Sequence, residues 1–191
     1  VKYKQNIIYI QSQKNLGYGG GNNLAIRIAH QNSSDLYMVI NNDAALKKGS
    51  LDGLLSSFEN PEVCVLGPAI LDSRTGMVQS AGKKLDLFFG RHRAFRKLDV
   101  GIVKVGYVSG ACILFTKEVI DVMSLFEERY FLYTEDVEFC YRATKHGLGV
   151  FCNTGCRAVH SSDGAMDMLK RKESRLYYQI RNNVLMSGLF S

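Results

Sequence analysis

Long apolar runs are missing from this 191-residue chain. Nothing in it approaches the roughly 18 consecutive apolar residues of a membrane span. The opening Val1-Lys2-Tyr3-Lys4 likewise lacks the apolar h-region of a secretory signal. Cysteine is scarce and odd in number, at Cys64, Cys112, Cys140, Cys152 and Cys156. An odd set does not close into a disulfide framework, and Cys152-x-x-x-Cys156 has no second pair with which to complete a zinc site. Buried, reduced thiols in a cytoplasmic protein are therefore expected. No internal repeat, low-complexity tract or linker divides the chain. With 46% hydrophobic residues, positions 1–191 read as a single domain with a sizeable core.

The net charge of +6 is unevenly spread. Lys83, Lys84, Arg91, Arg93, Arg96 and Lys97 form one basic cluster, and Lys170-Arg171-Lys172 with Arg175 forms another. Either suits an anionic lipid surface or a phosphorylated ligand, and either is also compatible with a solvated loop or helix face. Neither carries a nucleic-acid module signature, so no nucleic-acid partner is expected.

Periodicity predicts alternating strands and helices. Asn6 to Ile10 reads as a strand, Leu24 to His30 as a helix after a Gly-rich turn, and Leu36 to Ile40 as a fully buried strand. Ser50 to Phe58 has Leu51, Leu54, Leu55 and Phe58 at helical spacing, and Val63 to Leu66 gives another buried strand. Asp72 to Gly76 is a turn, Lys83 to Lys97 a basic loop, and Ile102 to Phe115 two strands broken at Ser109-Gly110. A helix from Glu135 to the stop at Gly147, a strand near Val150 to Cys152 and a helix from about Asp167 to Met186 complete the pattern.

Three segments are candidates for chemistry. In Tyr133-Thr134-Glu135-Asp136-Val137-Glu138, three carboxylates follow an aromatic run. They suit either a catalytic site or a helix start, with Thr134 as N-cap and the acids complementing the macrodipole. Asn41-Asn42-Asp43 follows a strand at the edge where open α/β sheets collect ligands. Asp43 is a hard oxygen ligand suited to Mg²⁺ or Mn²⁺, and the neighbouring amides suit a ribose or phosphate; a plain turn is the competing reading. Asn15-Leu16-Gly17-Tyr18-Gly19-Gly20-Gly21-Asn22-Asn23 suits close approach of backbone to a diphosphate. It misses the dinucleotide spacing G-x-G-x-x-G by its last glycine.

Taken in order, these segments resemble the family 2 glycosyltransferases, inverting enzymes of the GT-A fold, most closely their rhamnosyltransferase-like branch. The matching motifs are Asn15 to Asn23, Asn41-Asn42-Asp43, Val108-Ser109-Gly110-Ala111 and Phe131 to Arg142. The likeness continues through Val159-His160-Ser161-Ser162 and Tyr177 to Asn182. The resemblance implies a Rossmann-like, mostly parallel sheet flanked by helices. It also implies a donor such as a dTDP- or UDP-sugar, and a glycan or lipid-linked acceptor in bacterial surface polysaccharide synthesis at the inner face of the plasma membrane.

By the same resemblance Asp43 holds the divalent cation, with His160 as a further metal ligand. Asn41 lines the donor pocket, and Asn15, Gly20, Asn23, Asn42, Ser109 and Gly110 complete the donor-binding set. Asp136 is the general base with Glu135 beside it, since inverting transfer needs a carboxylate that takes the acceptor hydroxyl's proton. Family members begin with a strand, a turn, a helix and a base-reading acid that have no counterpart here. The sheet is thus expected to be truncated at its N-terminal side or completed by a second copy of the chain. The alternative expectation is a non-catalytic module of the same fold that binds nucleotide or glycan weakly. A nucleotidyltransferase reading lacks its Gly-rich loop with a following Arg and Lys.

Overall fold

A computed structural model describes residues 7–86, 91–94, 100–161 and 168–188, with backbone alone at 84–86, 91–94 and 168–172. In chain order the elements are α1 (Gly17–Gln31), β1 (Leu36–Ile40), β2 (Ala44–Leu46), α2 (Ser50–Ser57), β3 (Val65–Asp72) and β4 (Val78–Ser80). Then come β5 (Lys83–Asp86), β6 (Arg91–Ala94), β7 (Ile102–Lys104), β8 (Cys112–Thr116), α3 (Lys117–Met123), α4 (Glu135–Lys145), β9 (Val150–His160) and α5 (Met168–Ser187). Among the described residues, no helix is long and apolar enough to cross a membrane.

Seven strands form one sheet in the order β1-β8-β3-β9-β2, with β4 added to β3 and β7 to β9. The α/β sheet flanked by helices is as expected, but its pairing is mixed rather than mostly parallel. β8 lies between β1 and β3 and runs against both, leaving β3 and β9 as the parallel pair among the described strands. Pleating sends successive side chains of β8 to opposite faces. Ile113 and Phe115 enter a core with Ile26 of α1, Val119 of α3 and Phe139 of α4, whereas Cys112 and Leu114 join Leu54 of α2 on the other face. All five cysteines are buried and free.

Several local expectations are corrected. Residues 7–10 form no strand: nothing described pairs with them, and Ile7, Ile8 and Tyr9 are exposed (Asn6 lies outside the described residues). The Gly-rich segment is not a turn before the helix but the first turns of α1 itself. β1 is not buried on both faces, because the cluster around Leu54 that covers Cys112 and Leu114 of β8 takes in no residue of β1. Tyr37 and Val39 enter the core while Met38 and Ile40 face outward. The basic loop contains the β5/β6 hairpin, with residues 87–90 and 95–99 outside the described residues. β9 extends to His160, well past Cys152, and its partnership with both β3 and β2 is what sustains that length.

Candidate active site

The start of α4 is reached through a strained loop. Phe131, Tyr133 and Thr134 all have left-handed backbone, with φ of 62°, 65° and 75°. Non-glycine residues held there cost about 1–3 kcal/mol each and persist only where the surroundings over-determine them. Those surroundings are identifiable. Asn182 of α5, 0% exposed, directs its side-chain amide at the carbonyls of Tyr130, Leu132 and Tyr133, at 3.0, 2.8 and 2.6 Å. The Tyr18 amide donates to the Phe131 carbonyl at 2.7 Å. Gly17, at φ +71°, lets that carbonyl approach so closely that a Cβ would sit 2.2 Å from its oxygen. Thr134 does not cap α4, because its left-handed backbone turns the side chain away from the helix amides and it makes no cap bond.

The three acids at this helix start have three different environments. Asp136 Oδ2 accepts from the Gly110 amide and Oδ1 from the Val137 amide, each at 2.9 Å. The Tyr18 hydroxyl donates to the Gly110 carbonyl at 2.5 Å, and the Ala111 amide donates to Ser109 Oγ at 3.2 Å, so the Ser109-Gly110 turn is held on both sides. A Cβ on Gly110 would lie 2.8 Å from the Tyr18 hydroxyl and 3.3 Å from Asp136 Cβ, so any side chain there would displace the Tyr18 hydroxyl. Burial, then the charge of Asp136, raises the Tyr18 phenol well above its ordinary value and keeps it a donor. Glu135 is buried, and among the described residues its Oε2 has no hydrogen-bond partner. Desolvation, reinforced by Asp136, pushes its carboxyl up to about 8. Glu138 instead forms a two-point ion pair with Arg142, at 2.7 and 3.0 Å. Arg142 also donates to the carbonyls of Met123 and Leu125.

The Asn41–Asp43 turn lies beside this assembly. The Asn41 amide donates to Ala111 O at 3.0 Å, next to the Ser109-Gly110 turn. On the other side, the Ser161 amide donates to Asp43 O at 3.0 Å. Pairing of β2 with β9 sets Ala44 opposite His160 and brings His160 Nε2 to 3.3 Å from Asp43 Oδ1. Among the described residues, no three His, Cys, Asp or Glu side chains converge on one point. Asp43 and His160 therefore offer one carboxylate and one imidazole, a set that fits a cation taking its other ligands from phosphate and water. Behind them Asp72 closes a turn, held down at about 2 by bonds from the Thr75 amide and hydroxyl and from Gln79.

The remaining expected donor-binding residues sit differently. Asn15 is exposed, and its Oδ1 accepts from the Gly17 amide at 3.0 Å. Asn23 is 1% exposed and bridges α1 to the 126–128 segment, donating to Phe126 O and Glu128 Oε1 at 2.9 Å each and accepting from the Phe126 amide at 3.0 Å. A Cβ on Gly20 would lie 3.0 Å from Leu16 Cβ. The Gly17 and Tyr18 amides are taken by Asn15 Oδ1 and the Phe131 carbonyl, and the segment packs against residues 126–131. The structure thus gathers Asn41, Asn42, Asp43, Ser109, Gly110, Glu135, Asp136 and His160, and uses Asn15, Gly20 and Asn23 to seat the loop behind them. Sequence reasoning gave no role to Tyr18, Asn182 or Gln79. The first two lie inside quoted motifs, and Gln79 lies in none.

A family model described as glycosyltransferase like family 2 matches residues 1–179. The chain is 26% identical over 187 residues to the low-salt glycan biosynthesis hexosyltransferase Agl10 of Haloferax volcanii, covering 95% of this chain and 60% of the relative. It is 28% identical over 167 residues to the N-acetylglucosaminyl-diphospho-decaprenol L-rhamnosyltransferase of Mycobacterium tuberculosis, covering 74% and 54%. To the O-antigen biosynthesis protein RfbC of Myxococcus xanthus it is 30% identical over 144 residues, covering 69% of this chain and 11% of that one. The chain thus spans 60% or less of the length of these relatives. Among solved structures, GalNAc-T7 with UDP, GalNAc and Mn²⁺ superposes with a TM-score of 0.59 at 12% identity, over 80% of this chain and 32% of that one.

Proposed function

The chain belongs to the glycosyltransferase like family 2, and from that premise we propose that its site moves a sugar, with inversion, from a nucleoside-diphosphate donor to a glycan or lipid-linked acceptor. The observation that carries this reading is the placement of Asp136. A strained loop and the Gly110 amide hold its carboxylate beside the Asn41–Asp43 turn. In an inverting transfer the acceptor hydroxyl oxygen bonds to the anomeric carbon as the bond from that carbon to the diphosphate oxygen breaks. The hydroxyl proton passes to a carboxylate on the attacking side. Asp136 takes that proton, Gly110 and Val137 orient it, and beside it burial pushes the Glu135 carboxyl above its ordinary range.

Asp43 and His160 are the residues suited to hold a Mg²⁺ or Mn²⁺ ion, whose chemistry is to neutralise the leaving diphosphate. Asn41, Asn42 and Ser109 offer amide and hydroxyl groups to the donor. The names of the relatives favour a surface or lipid-linked glycan and hence a cytoplasmic protein working at the inner membrane face. The test is calorimetry with Mn²⁺ and UDP or dTDP. Asp43→Asn is expected to lose metal-dependent diphosphate binding without unfolding, because Asp43 is an exposed turn residue. Equal affinity in mutant and parent removes Asp43 from the site.

One observation favours a second reading, a module that binds nucleotide or glycan without turnover. The outer edge of β1 has no strand partner among the described residues. Metal-dependent hydrolysis of UDP- or dTDP-sugars by the chain excludes that reading, and binding without hydrolysis supports it.

A further inference from the structure

A run of polar groups leads from the turn after β3 to the candidate cation site. Asp72 Oδ1 accepts from the Arg74 amide at 3.1 Å, the Thr75 amide at 2.7 Å and the Thr75 hydroxyl at 2.9 Å. Its other oxygen, Oδ2, accepts from Gln79 Nε2 at 3.0 Å. A carboxylate surrounded by donors has no proton to give, so the Gln79 amide must turn its NH₂ toward Asp72. Gln79 Oε1 then faces His160 Nδ1 at 3.3 Å. That oxygen can only accept, so Nδ1 must carry the proton. In the neutral ring Nε2 is left with a bare lone pair, and it lies 3.3 Å from Asp43 Oδ1. Two acceptor atoms that face each other in this way are satisfied by a positive charge between them, either a second ring proton or a metal cation lying against both.

We propose that Gln79 is a positioning residue, locking His160 in the tautomer with hydrogen on Nδ1 so that Nε2 is presented bare, beside Asp43, to a divalent cation. This rests on the cation reading of Asp43 and His160 given above. It gives β4 a purpose, since pairing of Ile70 with Ser80 and Leu71 with Val78 carries Gln79 alongside Asp72 and across from the end of β9. Metal-binding imidazoles commonly donate their second N–H to an oxygen, and removing that oxygen typically costs about 10- to 100-fold in metal affinity.

Two measurements on the metal-free chain and on its Mn²⁺ complex test the proposal. Long-range ¹H–¹⁵N spectra of histidine-labelled protein at about pH 8, above the ordinary histidine range, report which ring nitrogen is protonated. The His160 signals are assigned by their loss in His160→Ala. The parent is expected to show hydrogen on Nδ1, and Gln79→Leu to show the Nε2–H form that free imidazole side chains favour. Free Mn²⁺ followed by electron paramagnetic resonance in the presence of UDP is expected to show binding weakened about 10- to 100-fold in Gln79→Leu. Gln79 is exposed, so the variant is expected to unfold at the parental temperature. Hydrogen on Nε2 in the parent, or a tautomer and Mn²⁺ affinity unmoved by Gln79→Leu, overturns the role of Gln79. Parental Mn²⁺ affinity in His160→Ala overturns the cation reading instead, whatever the tautomer.

Discussion

The Gly110 amide donates to Asp136 Oδ2 at 2.9 Å, joining the turn before β8 to the first turn of α4. The carbonyl of the same glycine accepts from Tyr18 in α1 at 2.5 Å. Helix α1, the Ser109-Gly110 turn and the candidate base are therefore one mechanical unit. The pose of Asp136 depends on a side chain 92 residues from the glycine it grips.

Tyr18→Phe isolates that unit. The ring keeps its edge contact with Phe126, while the Gly110 carbonyl loses its donor. A buried acceptor left without a partner costs about 1–3 kcal/mol. Thermal unfolding is expected to move down by several degrees with far-ultraviolet dichroism unchanged. Gly110→Ala should be worse, since its methyl group would meet the Tyr18 hydroxyl at 2.8 Å. If both variants melt at the parental temperature, the unit does not hold the turn.

Asn182→Ala tests the strained loop. One buried amide faces three carbonyls, and its loss leaves Tyr130, Leu132 and Tyr133 without that donor. Stability is expected to fall by about 1–3 kcal/mol or more. Amide hydrogen exchange should rise most across residues 130–136, ahead of α5 itself. Uniformly raised exchange would show that Asn182 stabilises the fold without tightening this loop.

Glu135 makes stability depend on pH. Its folded value of about 8 stands above the ordinary 4.5, so between those values the native state holds a proton that the unfolded chain releases. The contribution is fully present below 4.5 and is lost as pH rises through 8. Urea midpoints from pH 5 to 8 should therefore decline less steeply in Glu135→Gln, whose amide does not titrate. Parallel curves for parent and variant would show that Glu135 is not held neutral.

Regular elements were legible where their pattern is local. The apolar run at Leu36 to Ile40, the 3.6-residue spacing near Leu54 and the acids opening α4 all carry their own signal. The glycine run misled because flexibility reads as a turn, whereas here it forms the first turns of α1, with Gly17 close against Phe131. The strand expected at 6–10 needed a neighbour to pair with, and no local pattern reports one. Asp43, Asp136 and His160 stood out by residue type and order. Tyr18, Gln79 and Asn182 act through partners 92, 81 and 49 residues away, and no spacing rule reaches that far.

The outer edge of β1, unpaired among the described residues, predicts self-association. A groove of about 300 Å³ runs between α1 and β1, lined by Asn22, Ile26, Met38 and Ile40 among others. Ile7, Ile8 and Tyr9 are exposed as well. Unpaired strand edges beside apolar surface favour pairing with a second chain. Light scattering at micromolar concentration should give more than the 21.4 kDa of one chain. A well-dispersed monomer would show that this edge stays unpaired in solution.

Sugar transfer by Asp136→Asn is the most direct test of the central claim, made in a protein extended to the length of the relatives and supplied with Mn²⁺, a nucleotide sugar and a lipid-linked acceptor. The amide keeps the shape of the carboxylate but does not take the acceptor's proton. Transfer is expected to fall by about 10²- to 10⁴-fold while UDP and Mn²⁺ binding stay at parental strength. Transfer at the parental rate would mean that the Asp136 carboxylate only complements the helix dipole and is not the base.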